Sequence, residues 1–268
     1  MESPPEPSAY VQVEHLVARY GTRTILDDVS MTAQRGEITV VLGGSGCGKS
    51  TLLRHIIGLL TPASGRVLIN GQDLHRATED QQEAILRNIG MSFQAGALFN
   101  SMTLEDNVAL PIVEHTGSDQ ATARMLARMK LSLVGLERAA HLLPAELSGG
   151  MKKRAAVARA LALDPALLLF DELSAGLDPV TAREIDELIL RLKAQLGVTI
   201  IIVTHELSSI QVIADQAIML HAGKVIAAGP LAQVRALDDP QVRAFFDRQP
   251  RPVTMAQGLL DTLIVNGG

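Results

Sequence analysis

The stretch "VLGGSGCGKSTLL", residues 41–53, places glycines, a serine and a lysine between two apolar segments. Gly43, Gly48, Lys49 and the serine after it satisfy the G-x-x-x-x-G-K-[ST] pattern of a phosphate-binding loop. The preceding "EITVVL" is typical of a short buried strand, and apolar residues at helical spacing follow until near Pro62. A phosphate-binding loop requires a strand before it and a helix after it. Both are predicted here, so an ordinary glycine-rich turn is the weaker interpretation.

The loop has the chemistry of a polyanion site. Glycines let backbone N–H groups turn inward, and the N-terminus of the next helix adds unpaired N–H groups and a positive dipole end. We expect Lys49 to reach the outer phosphates and Ser50 to hold Mg²⁺. Cys47 lies at a helix start beside a lysine, where thiols react readily, so we expect an accessible thiol; a buried packing residue is the alternative. The predicted nucleotide-binding residues of the loop are Gly43, Gly44, Ser45, Gly46, Cys47, Gly48, Lys49, Ser50 and Thr51.

Composition narrows the class of protein. The 268 residues carry a net charge of −5 and only 3% aromatic residues, which disfavours a general nucleic-acid surface. One cysteine excludes an internal disulfide and fits a reducing cytosol. Although 47% of residues are hydrophobic, no apolar run reaches the roughly 18 residues of a membrane span. We expect residues 1–9, "MESPPEPSA", to be a disordered lead-in and neither a signal nor a transit peptide.

The order of predicted elements indicates an α/β fold. Short strands fill residues 10–42, with a turn at Tyr20-Gly21, and a strand pair at 65–74 bends at Asn70-Gly71. The chain is then mostly helical from about 104 to 163. Strand, helix and strand follow over 166–203, which predicts a parallel sheet with right-handed crossovers. The phosphate-binding loop would lie at the carboxyl edge of that sheet, where such folds bind ligands.

Two of these strands end in polar residues. "ALLLFDE" delivers Asp171 and Glu172 to the sheet edge, where Asp171 suits Mg²⁺ and Glu172 can act as the base for an attacking water. A helix-starting acidic pair is the alternative. "VTHE" places His205 at the corresponding edge, where it could contact the γ-phosphate or orient the water; a structural histidine is the alternative.

A second anion site is predicted where "LSGGM", residues 147–151, opens an alanine-rich helix. Ser148 and the N–H groups of Gly149 and Gly150 would form it at the helix N-terminus. A serine-capped helix without a ligand is the alternative. Two anion sites about 100 residues apart in one chain suggest that two chains share one nucleotide.

Six motifs follow one another along the chain: "GGSGCGKST", "FQ" at 93–94, "LSGGM", "LLLFDE", "SAGLD" at 174–178 and "THE". With these motifs in this order, the sequence resembles the ATP-binding subunit of an ABC transporter from residue 10 to about 240. The resemblance implies a P-loop NTPase (RecA-like) core with an N-terminal antiparallel β-subdomain. An inserted α-helical subdomain at about 96–163 would carry the ABC signature. It divides the chain into a nucleotide-binding domain, 10–240, and a C-terminal extension, 241–268.

The resemblance also implies roles for single residues. Tyr20 would stack on adenine, and Gln94 would ligate Mg²⁺ together with Ser50 and Asp171 while sensing the membrane partner. Asp178 would lie at a dimer seam, near the ATP that Ser148, Gly149 and Gly150 contact in trans. A turn aromatic and a surface amide are the alternatives for Tyr20 and Gln94. Leu173 departs from the family, which usually has proline after the glutamate, so the rigidity of the following loop is open.

A narrower resemblance rests on "FQAGALFNSMTLEDNVALPIVEHT" at 93–116, Met151 in the signature and "DDPQVRAFFD" at 238–247. These are similar to the ATPases of MCE-type phospholipid-trafficking systems of Gram-negative bacteria, which maintain outer-membrane lipid asymmetry. The implied partners are a second copy of the chain, an integral-membrane permease, a lipid-binding MCE-domain protein and a small STAS-domain subunit, with no nucleic acid. The implied location is peripheral, on the cytoplasmic face of the inner membrane.

Other functions stay open on the sequence. One alternative is a soluble ABC ATPase acting on ribosomes or DNA, and another is an importer or exporter ATPase for a different substrate. Intact Glu172 and His205 disfavour a regulatory module without turnover. The C-terminal "VRAFF" and "GLLDTLIV" are apolar, so we expect them to dock on the second ATPase chain or an accessory subunit.

Overall fold

The elements of the chain follow the order expected for an α/β cassette, and the computed structural model describes residues 8–93 and 97–247. The strands are β1 (Ala9–Tyr20), β2 (Arg23–Gln34), β3 (Ile38–Leu42), β4 (Ser64–Ile69), β5 (Gln72–Asp73), β6 (Ile89–Ser92), β7 (Leu167–Asp171), β8 (Thr199–Val203), β9 (Gln216–His221) and β10 (Lys224–Pro230). The helices are α1 (Lys49–Ile56), α2 (Glu79–Arg87), α3 (Leu104–Thr116), α4 (Gln120–Leu133), α5 (Gly149–Ala160), α6 (Pro179–Leu196), α7 (Leu207–Ile213), α8 (Leu231–Arg235) and α9 (Pro240–Phe246).

The central sheet is mostly parallel. Its strand order across the described residues is β10-β9-β3-β8-β7-β6, and only β10 runs antiparallel to its neighbour there. The residues of β3 and β8 are β-branched or leucine and are all buried, as expected for strands covered on both faces. Because β3, β7 and β8 are parallel, the residues that follow them meet at one edge of the sheet.

A second sheet forms the predicted N-terminal subdomain. Its order within the described chain is β2-β1-β4-β5, with antiparallel pairing throughout. The turns at Gly21 and at Asn70-Gly71 carry positive φ angles, as tight reversals require. Ala9 already pairs with Gln34, so the expected lead-in of residues 1–9 is wrong at its C-terminal end. Residues 1–7 lie outside the described part of the chain.

Two hydrophobic cores hold these layers together. Alternate residues of β3 point to opposite faces, so Val40 joins one core and Val41 the other. The first core packs the central sheet against α3 to α7 and the C-terminal helices. The second packs it against α1 and the antiparallel sheet. The phosphate-binding loop therefore lies between the central sheet and the N-terminal subdomain.

Helices α3, α4 and α5 lie within the predicted helical segment. Each begins with a capping side chain: the oxygens of Thr103, Asp119 and Ser148 accept a hydrogen bond from the N–H three residues on. Among the described residues, no helix is long and apolar enough to cross a membrane.

Some boundaries differ from the sequence prediction. Helix α1 ends at Ile56 and not near Pro62, because Gly58 has a φ of 71° and the N–H groups of Leu59 and Leu60 return to the carbonyl of Arg54. This left-handed reversal overrides the apolar spacing that continues beyond it. The sequence pattern does not indicate strands β6, β9 and β10 or helices α2, α7, α8 and α9.

The C-terminal helix α9 packs on its own chain. Val242 is fully buried in the first core, and Phe245 and Phe246 pack against the same core. The apolar side chains of "VRAFF" therefore contact the cassette itself, and the docking of this stretch on a partner stays a prediction. The second apolar stretch, "GLLDTLIV", lies outside the described residues.

Candidate active site

The phosphate-binding loop needs glycine at two positions for steric reasons. At Gly43, with a φ of 142°, a Cβ would lie 2.2 Å from the carbonyl oxygen of Leu220. At Gly48, with a φ of 108°, a Cβ would lie 2.4 Å from Cδ2 of Leu26. Both backbone conformations and both close approaches exclude a side chain. The loop is thus fixed between β9 and the N-terminal subdomain.

Lys49 is the first residue of α1 and is mostly buried. Its Nζ donates to the carbonyl oxygens of Gly43 and Gly44, at 2.9 and 3.0 Å. The ammonium group therefore lies over the loop, beside the N–H groups at the start of α1. This is the arrangement that binds the phosphates of a nucleotide.

The two acidic residues at the end of β7 have different environments. The Ser50 hydroxyl lies 3.4 Å from Oδ1 of Asp171. Burial raises the pKa of Asp171, and the charge of Glu172 acts in the same direction, while the Ser50 hydrogen bond opposes both. A hydroxyl and a carboxylate are oxygen donors of the kind that Mg²⁺ prefers, so Ser50 and Asp171 fit the predicted cation site.

Glu172 and His205 contact each other, as the parallel strands predict. Nδ1 of His205 lies 3.1 Å from Oε1 of Glu172. Glu172 has a φ of 53°, which is strained for a residue other than glycine, and its N–H donates to the carbonyl of Val203 at 2.8 Å. Leu173, in place of the usual proline, is buried in the first core and fixes the chain after Glu172 by packing.

A cleft of about 620 Å³ brings most predicted residues together. Sequence reasoning missed three of its lining residues: Arg23 and Ile25 on β2, and Phe245 on α9. Tyr20 lies at its rim with 48% of its surface exposed. The predicted residues that line this cleft are Tyr20, Gly43, Gly44, Ser45, Gly46, Gly48, Lys49, Ser50, Thr51, Glu172 and His205.

Cys47 and Asp171 are not among the residues that line this cleft. The Cys47 side chain is 7% exposed and belongs to the second core, so the expectation of an accessible thiol is wrong. Burial follows from the fold of the loop, because the thiol packs beside Gly43. Gln94 lies outside the described residues, and its predicted role as a Mg²⁺ ligand stays a prediction.

The signature residues do not line the cleft of their own chain. Ser148 and Gly149 are exposed at the start of α5, whereas Gly150 is buried. Asp178 caps α6 by accepting the N–H groups of Val180 and Thr181, at 3.1 and 3.0 Å. Hydrogen bonds from the side chain and backbone of Thr181 hold the pKa of Asp178 below its usual range.

A family model described as ABC transporter matches residues 26–175, more than half of the chain. The chain belongs to the ABC transporter family. The cassette is 43% identical to the Escherichia coli K12 protein named "Intermembrane phospholipid transport system ATP-binding protein MlaF", over 85% of this chain and 84% of that protein. It is 40% identical to the Mycobacterium bovis "Probable ribonucleotide transport ATP-binding protein mkl", over 92% of this chain and 69% of the relative.

Solved cassettes have the same fold. A dimeric post-hydrolysis structure of the ATP-binding cassette MJ0796, bound to ADP and Pi, aligns with a TM-score of 0.74 at 32% identity. The alignment covers 82% of this chain and 98% of that chain. The predicted fold class is therefore confirmed. As an ABC cassette the protein is an ATPase that powers transport.

Proposed function

We propose that this ABC cassette powers phospholipid transport between the inner and outer membranes of a Gram-negative cell. The observation that carries this proposal is the 43% identity to MlaF proteins from Escherichia coli and Haemophilus influenzae, over 85% and 88% of this chain. The mycobacterial relative supports a second candidate, a transporter for another substrate. The MlaF proteins match over 84% and 89% of their own length, against 69% for the mycobacterial protein, so we favour phospholipid.

In the proposed mechanism, the phosphates of ATP bind the N–H groups of the loop and of α1, and Tyr20 stacks on the base. Lys49 exchanges its contacts with the carbonyls of Gly43 and Gly44 for the outer phosphates. Ser50, Asp171 and Gln94 would hold Mg²⁺, which supplies positive charge beside the phosphates. These residues bind and orient the nucleotide.

Glu172 is proposed as the base that accepts a proton from the attacking water. In the tautomer that carries a proton on Nδ1, His205 donates a hydrogen bond to the Glu172 carboxylate, and the 3.1 Å contact orients the carboxylate. The core packing of Leu173 holds the backbone of this pair in place. A general base held in this way contributes about 10²- to 10⁴-fold to the rate.

The second anion site is proposed to act in trans. Ser148, Gly149 and Asp178 are exposed on the same chain but do not line its own cleft. The N-terminus of α5, capped by Ser148, provides N–H groups suited to a phosphate, and Asp178 lies at the start of α6. In the proposed dimer these residues, with Gly150, close over the ATP that the other chain holds. The dimeric solved cassette supports this arrangement.

The proposed partners are a second copy of this chain, a membrane permease similar to MlaE, an MCE-domain protein similar to MlaD and a STAS-domain subunit similar to MlaB. The cassette would lie peripherally on the cytoplasmic face of the inner membrane. We also propose that residues 248–268, with the apolar "GLLDTLIV", contact the second cassette or the small subunit. Deleting them should weaken assembly of the complex more than it changes nucleotide affinity.

Hydrolysis is tested with Glu172→Gln in the full-length chain. We expect ATP binding to persist and phosphate release to fall by about 10²- to 10⁴-fold. Glu187→Gln is a matched control, because Glu187 is exposed on α6 and, within the described ranges, forms an ion pair only with Arg183. Near-normal turnover of Glu172→Gln would exclude Glu172 as the base.

The substrate is tested by purifying the tagged full-length chain with its native membrane complex. Mass spectrometry should identify a permease, an MCE-domain protein and bound phospholipid. The phospholipid proposal would be excluded if the complex contained no MCE-domain protein and a non-lipid substrate stimulated its ATPase activity. This result would favour the second candidate.

A further inference from the structure

The N-termini of α5 and α6 approach each other closely at one point. A Cβ on Gly150 would lie 2.5 Å from the methyl carbon Cγ2 of Thr181. Gly150 lies inside α5 and has no positive φ, so its backbone does not require glycine. The requirement comes from the Thr181 methyl group, which occupies the space that a Cβ would need.

The other branch of Thr181 binds the turn that precedes α6. Its hydroxyl donates to Oδ2 of Asp178 at 2.5 Å, and its N–H donates to Oδ1 of the same carboxylate at 3.0 Å. A β-branched side chain has few χ1 rotamers, so fixing the hydroxyl also fixes the methyl group. One side chain thus contacts Asp178 with its hydroxyl and Gly150 with its methyl group.

A second contact joins the same helices one turn further along. Arg154 on α5 forms an ion pair with Glu184 on α6. Arg154 is one turn beyond Gly150, and Glu184 is three residues beyond Thr181, so the helices are joined at two successive turns.

We propose that Thr181 is a positioning residue that makes the signature turn and the Asp178 turn a single rigid surface. Ser148, Gly149 and Asp178 are exposed at this surface. The close contact between Gly150 and the Thr181 methyl group sets their relative positions. The inference rests on the proposed in-trans ATP site, which this surface would complete. Thr181 itself need not contact ATP.

Two near-isosteric substitutions separate the two contacts. Thr181→Val keeps the methyl group and loses the hydroxyl, and Thr181→Ser keeps the hydroxyl and loses the methyl group. Each is made in the full-length Glu172→Gln chain, so that ATP-bound dimers accumulate. We expect Thr181→Val to weaken ATP-dependent dimerisation by about twofold to thirtyfold, the range for a residue that acts on a binding site without contacting the ligand. Thr181→Ser should weaken it less.

The decisive measurement is compensation. Gly150→Ala should strongly impair ATP-dependent dimerisation, because its methyl group collides with Thr181 of the same chain. Adding Thr181→Ser removes the colliding carbon and should restore dimerisation by at least about tenfold. Gly149→Ala is the control: its Cβ would lie 3.4 Å from Cδ2 of Leu177, so Thr181→Ser should not restore that variant.

Binding of ATP to the monomer, measured below the dimerisation concentration, should stay unchanged in the Thr181 variants, because the cis cleft does not include Thr181. Equal dimerisation of all Thr181 variants, or no rescue of Gly150→Ala, would overturn the inference alone. If the Glu172→Gln parent binds ATP and stays monomeric, the in-trans site and the inference both fail.

Discussion

Asn107 is expected to be the residue on which the loop between β6 and α3 depends most. Its side chain is fully buried and accepts the N–H of Phe99 at 2.7 Å. Its amide nitrogen lies 3.0, 3.1 and 2.9 Å from the carbonyl oxygens of Phe99, Met102 and Thr103. A single amide therefore closes residues 99–103, the segment that soon follows Gln94, onto the first turn of α3.

The cost of Asn107→Ala follows from which groups lose their partners. Among the described residues, the carbonyls of Phe99 and Thr103 keep a backbone N–H donor, from Met102 and from residue 107 itself. The N–H of Phe99 and the carbonyl of Met102 lose their recorded partners. Phe99 is exposed and Met102 is half-buried, so water can reach part of this turn, and each lost hydrogen bond should cost its net value of about 0.5–1.5 kcal/mol. We therefore expect the free energy of unfolding to fall by about 1–3 kcal/mol.

Asn107→Asp keeps the shape of the side chain but replaces the amide donor with a carboxylate oxygen, which the neighbouring carbonyl oxygens repel. One carboxylate oxygen can still accept the Phe99 N–H, but the other would face three carbonyl oxygens. This environment would raise the pKa of the new carboxyl, so its ionised form opposes folding above about pH 4. We expect a deficit at least as large as that of Asn107→Ala at pH 7, and a smaller one as the pH falls toward 4.

The assay is urea denaturation of the full-length chain at pH 7 and pH 4.5. Asn88→Ala is the control, because Asn88 is exposed and its amide donates to the carbonyl of Ala84 at 2.9 Å. It should cost no more than about 0.5–1.5 kcal/mol. Equal stability of wild type and Asn107→Asp at pH 7 would instead mean that the amide donors of Asn107 are not needed.

Three further predictions concern the cleft and residues that lie close to it. Burial raises the pKa of Asp171, so the ionised carboxylate opposes folding as the pH rises through that pKa. Asp171→Asn should therefore raise the melting temperature of the ligand-free protein at about pH 7–8 and give no gain below about pH 4. The same variant should lose the stabilisation by Mg²⁺ and ATP, and a thermal-shift assay measures all three effects. Phe245→Ala should raise the Kd for ATP about twofold to tenfold by titration, whereas Phe246→Ala should not, since only Phe245 lines the cleft. Maleimide should label buried Cys47 slowly and at similar rates with and without ATP by mass spectrometry, and rapid labelling of the empty site would contradict the burial.

The sequence predicts the phosphate-binding loop well because its determinants are local. Gly43 and Gly48 are identified by spacing within eight residues, and the flanking apolar runs predict the strand and helix beside them. The edge position of Asp171 and His205 also follows from sequence, because each ends a buried strand and parallel strands end at the same edge. The structure then brings the Asp171 and Ser50 side chains within 3.4 Å.

The features that the sequence did not predict arise from contacts between distant segments. Phe245 reaches the cleft only because Val242 anchors α9 in the first core, about 200 residues along the chain from Gly43. The sequence neighbours of Cys47 suggest an accessible thiol, but packing in the second core buries it. The need for glycine at position 150 comes from Thr181, which no local pattern indicates.

In the proposed dimer, two chains bind two ATP molecules between them. The most direct measurement is sedimentation of full-length Glu172→Gln with Mg²⁺ and radiolabelled ATP, with and without the added change Ser148→Arg. We expect an ATP-dependent dimer that carries two ATP molecules, and we expect Ser148→Arg to abolish the dimer while each monomer still binds ATP. A monomer with one ATP at all concentrations, or a dimer unaffected by Ser148→Arg, would exclude the shared ATP sites.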